Sequence, residues 1–287
     1  MTEHRRQMIQ RILFPVDFSP ACVAMAAYVK RAAAIFGAEV SILHVYDPAS
    51  ETGLELYTRP PSEVAEDHWK VAQSKMEVFL QKEFPEKESP RILLAGDAAT
   101  EIANTTKNGK FDLIMMPTHA GRFRRMLLGS TAAKVLDEAD CPVLTMQHAA
   151  TIAPRSLEHR RWVCAIDLST DAERVLRYAI DMALAAGAEL SLIHALRSSA
   201  AESEAERRAE EELKARQHFT ELQNRVGSNV SVGIVPGPVK EALLEAALQS
   251  AADVLVVGRS PHGGTFGRIR DLTYALVRDS SCPVVSV

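Results

Sequence analysis

The feature that most limits what this chain can fold into is an internal repeat. Asp253-Val254-Leu255-Val256-Val257-Gly258 restates Asp112-Leu113-Ile114-Met115-Met116-Pro117, and Cys282-Pro283-Val284 restates Cys141-Pro142-Val143, both 141 positions later. Nearer the N-terminus, Gly187 to His194 restates Gly37 to His44 at an offset of 150. The offset has fallen to 141 by Gly237, the counterpart of Gly96, so the second half omits nine residues from the connection after its second strand. Self-similarity over this span means two copies of one unit, not a single mixed fold. A chain of 287 residues gives each copy enough length to bury its own core. The domains are placed at 1–147 and 162–287, with an aperiodic linker holding Pro154 at 148–161.

Within each copy, short apolar runs alternate with helical patterns. Ile12 to Asp17 reads as a first strand, with Pro15 awkward anywhere but its end. Ser19-Pro20 opens a helix, because serine caps and proline suits the first turn. Ala21 to Phe36 is apolar at helical spacing, and Gly37 stops it. Val40–Val45 is a second strand. Glu63 to Phe84 reads as one long charged helix. Arg91–Ala95 is a third strand, Gly96-Asp97 a turn, and Ala98 to Lys107 a short helix. Asp112–Met116, Ser130 to Glu138 and Val143–Met146 give the fourth strand, last helix and fifth strand. The second copy restates this plan from Val163 to Asp167, through a helix from Thr170 to Ala186 and a charged helix from about Ser203 to Val226. Nearly all-apolar strands separated by helices indicate a parallel sheet covered on both faces, with right-handed crossovers.

Composition enters where it excludes a class. Hydrophobic residues make up 47% and charged residues 24%, which fits a folded globular chain. A net charge of −4 argues against a general nucleic-acid binder. No apolar run approaches the roughly 20 residues that span a bilayer, and Met1 to Arg11 lacks the apolar core of a signal peptide. Cys22, Cys141, Cys164 and Cys282 sit in or beside apolar segments without metal-ligand spacing, so a cytoplasmic location with reduced, buried thiols is expected.

Four features carry a resemblance to the universal stress protein family in its tandem form. They are Val16-Asp17-Phe18-Ser19 after strand 1, Leu43-His44-Val45 at strand 2, the Gly96-Asp97 turn, and the segment from Thr118-His119 through Gly129-Ser130 to Cys141-Pro142-Val143. The resemblance covers nearly the whole chain, twice. It implies two open five-stranded parallel sheets with helices on both faces, of the adenine-nucleotide alpha-hydrolase-like kind, paired through their last strands. An apolar edge strand needs a partner, which agrees with that expectation. Beyond this internal pairing, the resemblance leaves open a homodimer of whole chains and an unidentified protein partner.

Some members of the family bind ATP. The binders resemble a pattern of glycine, two residues, glycine, nine residues, glycine, then serine or threonine. Glycines let the backbone approach phosphates, and a helix N-terminus offers free N–H groups. Here Gly129-Ser130-Thr131 keeps the end of the pattern, but Pro117 and Ala120 replace the first two glycines, and the loop is one residue short. Gly121 stands in for the second glycine. Arg122, Arg124 and Arg125 add cations, whose alternative role is surface ion pairing. In the second copy Gly258 is present, but repeat alignment places Arg270-Asp271 over Gly129-Ser130, and an aspartate at a helix start repels phosphate. The resemblance therefore implies ATP, with magnesium, in the first copy only. It puts Asp17 and Val45 at the adenine and ribose end, and Thr118, Gly129, Ser130 and Thr131 at the phosphate end. Asp17 has a plainer alternative as a capping acid for the next helix. His44 and His194 read as structural histidines.

There is no Gly-x-x-x-x-Gly-Lys-Ser/Thr loop, no Gly-x-Gly-x-x-Gly after a strand, no nucleophile elbow and no zinc spacing. Without a nucleophile, base and orienter in combination, a dedicated enzyme is not supported, and at most weak ATP hydrolysis is expected. The function expected is a stress-response binding or regulatory module. The alternative is a nucleotide-independent interaction or chaperone-like protein with both loops degenerate.

Overall fold

The structure is a computed structural model whose described residues are 9–48, 59–118, 128–147, 160–196, 204–259 and 267–287; of these, the side chains of 61, 204–207 and 267–271 are not described. It divides into two units, Met1–Pro154 and Arg155–Val287. The first contains β1 (Arg11–Pro15), α1 (Pro20–Phe36), β2 (Glu39–Tyr46), α2 (Pro61–Val78), β3 (Arg91–Ala95), α3 (Ala98–Gly109), β4 (Leu113–Pro117), α4 (Ser130–Glu138) and β5 (Val143–Met146). The second contains β6 (Arg161–Ala165), α5 (Ala172–Ala186), β7 (Glu189–Leu196), α6 (Glu204–Val226), β8 (Ser231–Pro236), α7 (Val239–Gln249), β9 (Val254–Val257), α8 (Gly267–Asp279) and β10 (Val284–Ser286).

Both sheets are parallel. The first runs β3-β2-β1-β4-β5 and the second β8-β7-β6-β9-β10. The central strands are apolar on both faces because helices cover both: Ile12, Leu13, Phe14, Leu113, Ile114 and Met115 are all fully buried. Each contributes on the order of 1.5–3 kcal/mol by leaving water. Pro15 ends β1, where it pairs with Leu43 and the ladder needs no further donor from it.

A carboxylate clasp fixes the start of the first strand in each unit. Asp112 Oδ2 accepts the backbone N–H of Gln10 at 2.8 Å and of Arg11 at 3.0 Å. Asp253 Oδ2 accepts those of Arg160 and Arg161 at 2.8 and 2.9 Å. The aspartate that opens each repeated segment is therefore a structural ligand for the neighbouring strand.

Helix α1 begins at the expected cap, where Ser19 Oγ accepts from the Cys22 N–H, and ends with Gly37 at φ 64°, in the left-handed region glycine favours. Helices α2 and α8 depart furthest from their sequence reading. Helix α2 stops at Val78 and does not reach Phe84. Leu80 turns left-handed at φ 52°, and the Arg91 guanidinium donates to the Met76 carbonyl at 2.6 Å and to that of Phe84 at 3.1 Å. Arg91 thus takes over acceptors that a continuing helix would satisfy. Helix α8 begins at Gly267, about one turn before the repeat alignment places it. Asp271 is consequently inside the helix and not at its start.

Candidate functional site

In a doubly wound sheet, ligands sit at the C-terminal edge where the strand order reverses. In the first unit that point lies between β1 and β4. The residues following them are Asp17 after β1 and Thr118 after β4, with Val45 near the end of β2 and Gly129 to Thr131 at the start of α4. The topology brings these six candidates to one edge of the sheet. Gly121 and Arg122, with Arg124 and Arg125, lie outside the described residues.

The phosphate end is built as follows. Thr118 is buried, its N–H donating to the Met146 carbonyl at 3.2 Å. Its own carbonyl accepts the Gly129 N–H at 3.0 Å, which draws the two ends of the connection together. A Cβ at position 129 would lie 2.9 Å from that same oxygen, so the close approach requires glycine. Gly129 is also the N-cap of α4 and offers no side chain to cap it. The first helical bond runs from the Ala133 N–H to the Gly129 carbonyl. The amides of Ser130, Thr131 and Ala132 precede it and lie at the positive end of the helix dipole. The Ser130 side chain is exposed and that of Thr131 half-buried. One expectation changes here: the Gly129 N–H is committed to Thr118, so Gly129 shapes the loop rather than donating to a phosphate.

The other end is set by the β1–α1 turn. Asp17 is exposed, and its Oδ1 accepts the Ser19 N–H at 3.0 Å and the Cys22 thiol at 3.1 Å. Burial, and then the negative charge of Asp17, push the Cys22 thiol up to about 12, so it stays protonated and unreactive at neutral pH. Phe18, next in the chain, has φ 61°. Its ring lies 4.2 Å from that of His44, whose Nδ1–H donates to the Val16 carbonyl at 2.8 Å. Burial pulls His44 below its ordinary value, which favours the neutral ring.

The second unit keeps part of this arrangement. Asp167 Oδ1 accepts from the Ser169 N–H at 3.1 Å, and His194 Nδ1–H donates to the Ile166 carbonyl at 2.9 Å. At the base of its loop, the buried Thr273 hydroxyl on α8 donates to the Gly258 carbonyl at 3.3 Å. The repeated histidines serve the same backbone role in both units. Sequence reasoning missed the Phe18–His44 contact; the signal available was a phenylalanine between Asp17 and Ser19 where the second copy has Leu168.

Among the described residues, no group of three or more histidine, cysteine and acidic side chains could hold a metal ion. No described helix is long and apolar enough to cross a membrane. All four cysteines are buried, and none is in a disulfide.

A family model described as the universal stress protein family matches residues 8–147 and again 158–287. A universal stress protein of Methanocaldococcus jannaschii is 30% identical over 147 residues, covering 49% of this chain and 83% of the relative. One from Thermus aquaticus is 30% identical over 142 residues, covering 49% of this chain and 100% of that protein. The crystal structure of a universal stress protein from Archaeoglobus fulgidus aligns over 99% of this chain and 97% of its own, with a TM-score of 0.66 at 23% identity. A putative universal stress protein of Pseudomonas aeruginosa aligns over 98% and 94%, with a TM-score of 0.63 at 18% identity. These two establish the fold over the full tandem length. Two successive family matches, with one repeated sheet topology beneath them, place the chain in the universal stress protein family as a tandem member.

Proposed function

We propose that the first unit binds an adenine nucleotide, ATP with magnesium, and that the chain is a cytoplasmic stress-response regulatory module whose nucleotide-dependent surface is the connection between β4 and α4. The observation that carries this reading is the start of α4. Gly129 caps the helix without a side chain and is packed against the Thr118 carbonyl, so the Ser130, Thr131 and Ala132 amides at the helix start would be offered toward the switch point between β1 and β4. Ser130 and Thr131 hydroxyls would add donors to the phosphates, and Asp17 and Val45 would face the ribose and adenine. With no acidic or histidine cluster in the described residues to hold it, magnesium would arrive on the phosphates. Buried thiols outside any disulfide fit a reducing compartment.

One observation favours a nucleotide-independent interaction protein instead. Asp17 Oδ1 already serves the Ser19 N–H and the Cys22 thiol, the arrangement expected of a turn-capping acid. Calorimetric titration with ATP and magnesium separates the two. Ser130→Glu is the informative variant, because a carboxylate in the first turn favours the helix by roughly 0.3–1 kcal/mol yet repels phosphate. Binding near one equivalent in the wild type, abolished in a stably folded Ser130→Glu, supports the nucleotide reading. No heat in the wild type leaves the interaction protein.

A further inference from the structure

We propose that Phe18 and His44 form a latch that positions Asp17 for the nucleotide, an inference that rests on the nucleotide reading above. Phe18 adopts φ 61°, a left-handed conformation that costs a residue with a Cβ roughly 1–2 kcal/mol. Such a conformation persists only where the surroundings impose it. Three groups hold the ring: His44 at 4.2 Å, Phe79 edge-on at 5.2 Å, and the Lys75 ammonium 5.9 Å from the ring centroid.

The same histidine grips the backbone just before Asp17. The Val16 N–H donates to the Leu43 carbonyl at 2.7 Å, and the Val16 carbonyl accepts from His44 Nδ1–H at 2.8 Å. Residue 16 is thus tied at both ends to the β2 neighbourhood, residue 18 packs against His44 with the rings tilted by 40°, and Asp17 is suspended between them. The N–H two residues on reaches the aspartate in both units, from Ser19 to Asp17 Oδ1 at 3.0 Å and from Ser169 to Asp167 Oδ1 at 3.1 Å, so what the ring adds in the first unit is an anchor for the turn that carries this carboxylate. His44 and Phe18 are positioning residues that act through Asp17.

The second unit supplies an internal control. Its backbone grip is the same: Ile166 N–H to the Ile193 carbonyl at 2.9 Å, and His194 Nδ1–H to the Ile166 carbonyl at 2.9 Å. The latch is missing. Leu168 replaces Phe18, is 46% exposed, and is not among the described non-glycine residues of positive φ. His194 packs edge-on against Phe219 of α6, 5.2 Å away. Helix α5 starts at Ala172, two positions later than α1 does in the repeat frame, and its N-cap Asp171 makes no side-chain capping bond. The backbone grip therefore belongs to the fold in both units, while the aromatic stack on the turn is particular to the first.

The test titrates the full chain with ATP and magnesium across a set of variants. Phe18→Leu gives the first turn the residue of the second. It is expected to weaken binding about tenfold, the scale of one charge-assisted hydrogen bond lost through misplacement. Phe18→Tyr keeps the ring and retains wild-type affinity. His194→Gln removes the matching backbone grip in the second unit and leaves affinity unchanged. Because the latch acts through Asp17, Phe18→Leu added to Asp17→Asn produces no further loss. An additive loss in the double variant, an unchanged affinity in Phe18→Leu, or an equal loss in His194→Gln overturns the latch while leaving nucleotide binding intact. A wild-type chain that binds no ATP overturns both.

Discussion

The two turns that follow the first strand of each unit use nearly the same residues to different ends. Val16-Asp17-Phe18-Ser19 and Ile166-Asp167-Leu168-Ser169 both place an aspartate whose Oδ1 accepts the N–H two residues on, and both rest on a histidine bonded to the carbonyl of the preceding residue. Only the first turns through a left-handed aromatic packed against that histidine. The helices closing the two loops differ likewise. Helix α4 begins at Ser130 behind an uncapping glycine, whereas α8 begins one turn early, at Gly267, so the amides of Asp271 and the next residues fall inside the helix. The aspartate clasps and the histidine grips are common to both units, whereas the turn aromatic and the start of the closing helix differ between them.

The largest effect tests the shared scaffold. Asp112→Ala and Asp253→Ala each remove the carboxylate acceptor of two backbone N–H groups and should each cost about 2 kcal/mol, the net worth of two such bonds, read as shifts of the denaturant midpoint. Clearly unequal losses would break the claim that the clasp is common property of the two units. Next come the loop bases. Gly129→Ala forces a Cβ to 2.9 Å from the Thr118 carbonyl oxygen, a rigid backbone atom, and should cost about 2 kcal/mol. Gly258→Ala meets only the Val175 Cγ2 methyl at 3.2 Å, and a loss below about 1 kcal/mol is expected in thermal unfolding. Reversal of that order would remove the special role given to Gly129.

Smaller effects sharpen the comparison. Asp97 caps α3 through the Thr100 N–H and pairs with Lys134 of α4 at 3.1 Å, whereas the second unit has Pro238 and Ala275 at the matching positions. Asp97→Ala should cost about 1 kcal/mol and Lys134→Ala no more than about 0.5 kcal/mol, since that pair is exposed. His44 gives a pH signature. Burial holds its folded-state value below the ordinary 6.5, so the unfolded chain takes up the proton first. The stability this contributes is complete above that ordinary value and is lost as pH falls through the folded-state value. Denaturant midpoints measured from pH 7.5 down to 5 should show the decline, and His44→Gln should flatten it.

Much of the architecture was legible in the residues. Alternating apolar strands and capped helices give both sheets, and Ser19, Gly37 and Gly187 cap helices at the positions their chemistry demands, while Asp97, read as part of a turn, also caps α3. The end of α2 was not legible, because Arg91, which is remote in sequence, supplies the donors that let the helix stop at Val78. Nor was the start of α8, since a repeat alignment assumes that equivalent helices share a first residue. At the site, Gly129-Ser130 located the start of α4, and the family resemblance implied its gathering with Asp17 at one sheet edge. What spacing could not show is that the Gly129 N–H is already used, or that Phe18 turns left-handed onto His44. Both depend on contacts between segments far apart in the chain.

On the proposed function, one of the two repeated units holds a nucleotide and the other does not. Native mass spectrometry of the full chain with ATP and magnesium counts the bound molecules directly. A single nucleotide per chain, absent in Ser130→Glu, is expected. Two nucleotides per chain would contradict the asymmetry between the units, and none would contradict nucleotide binding itself.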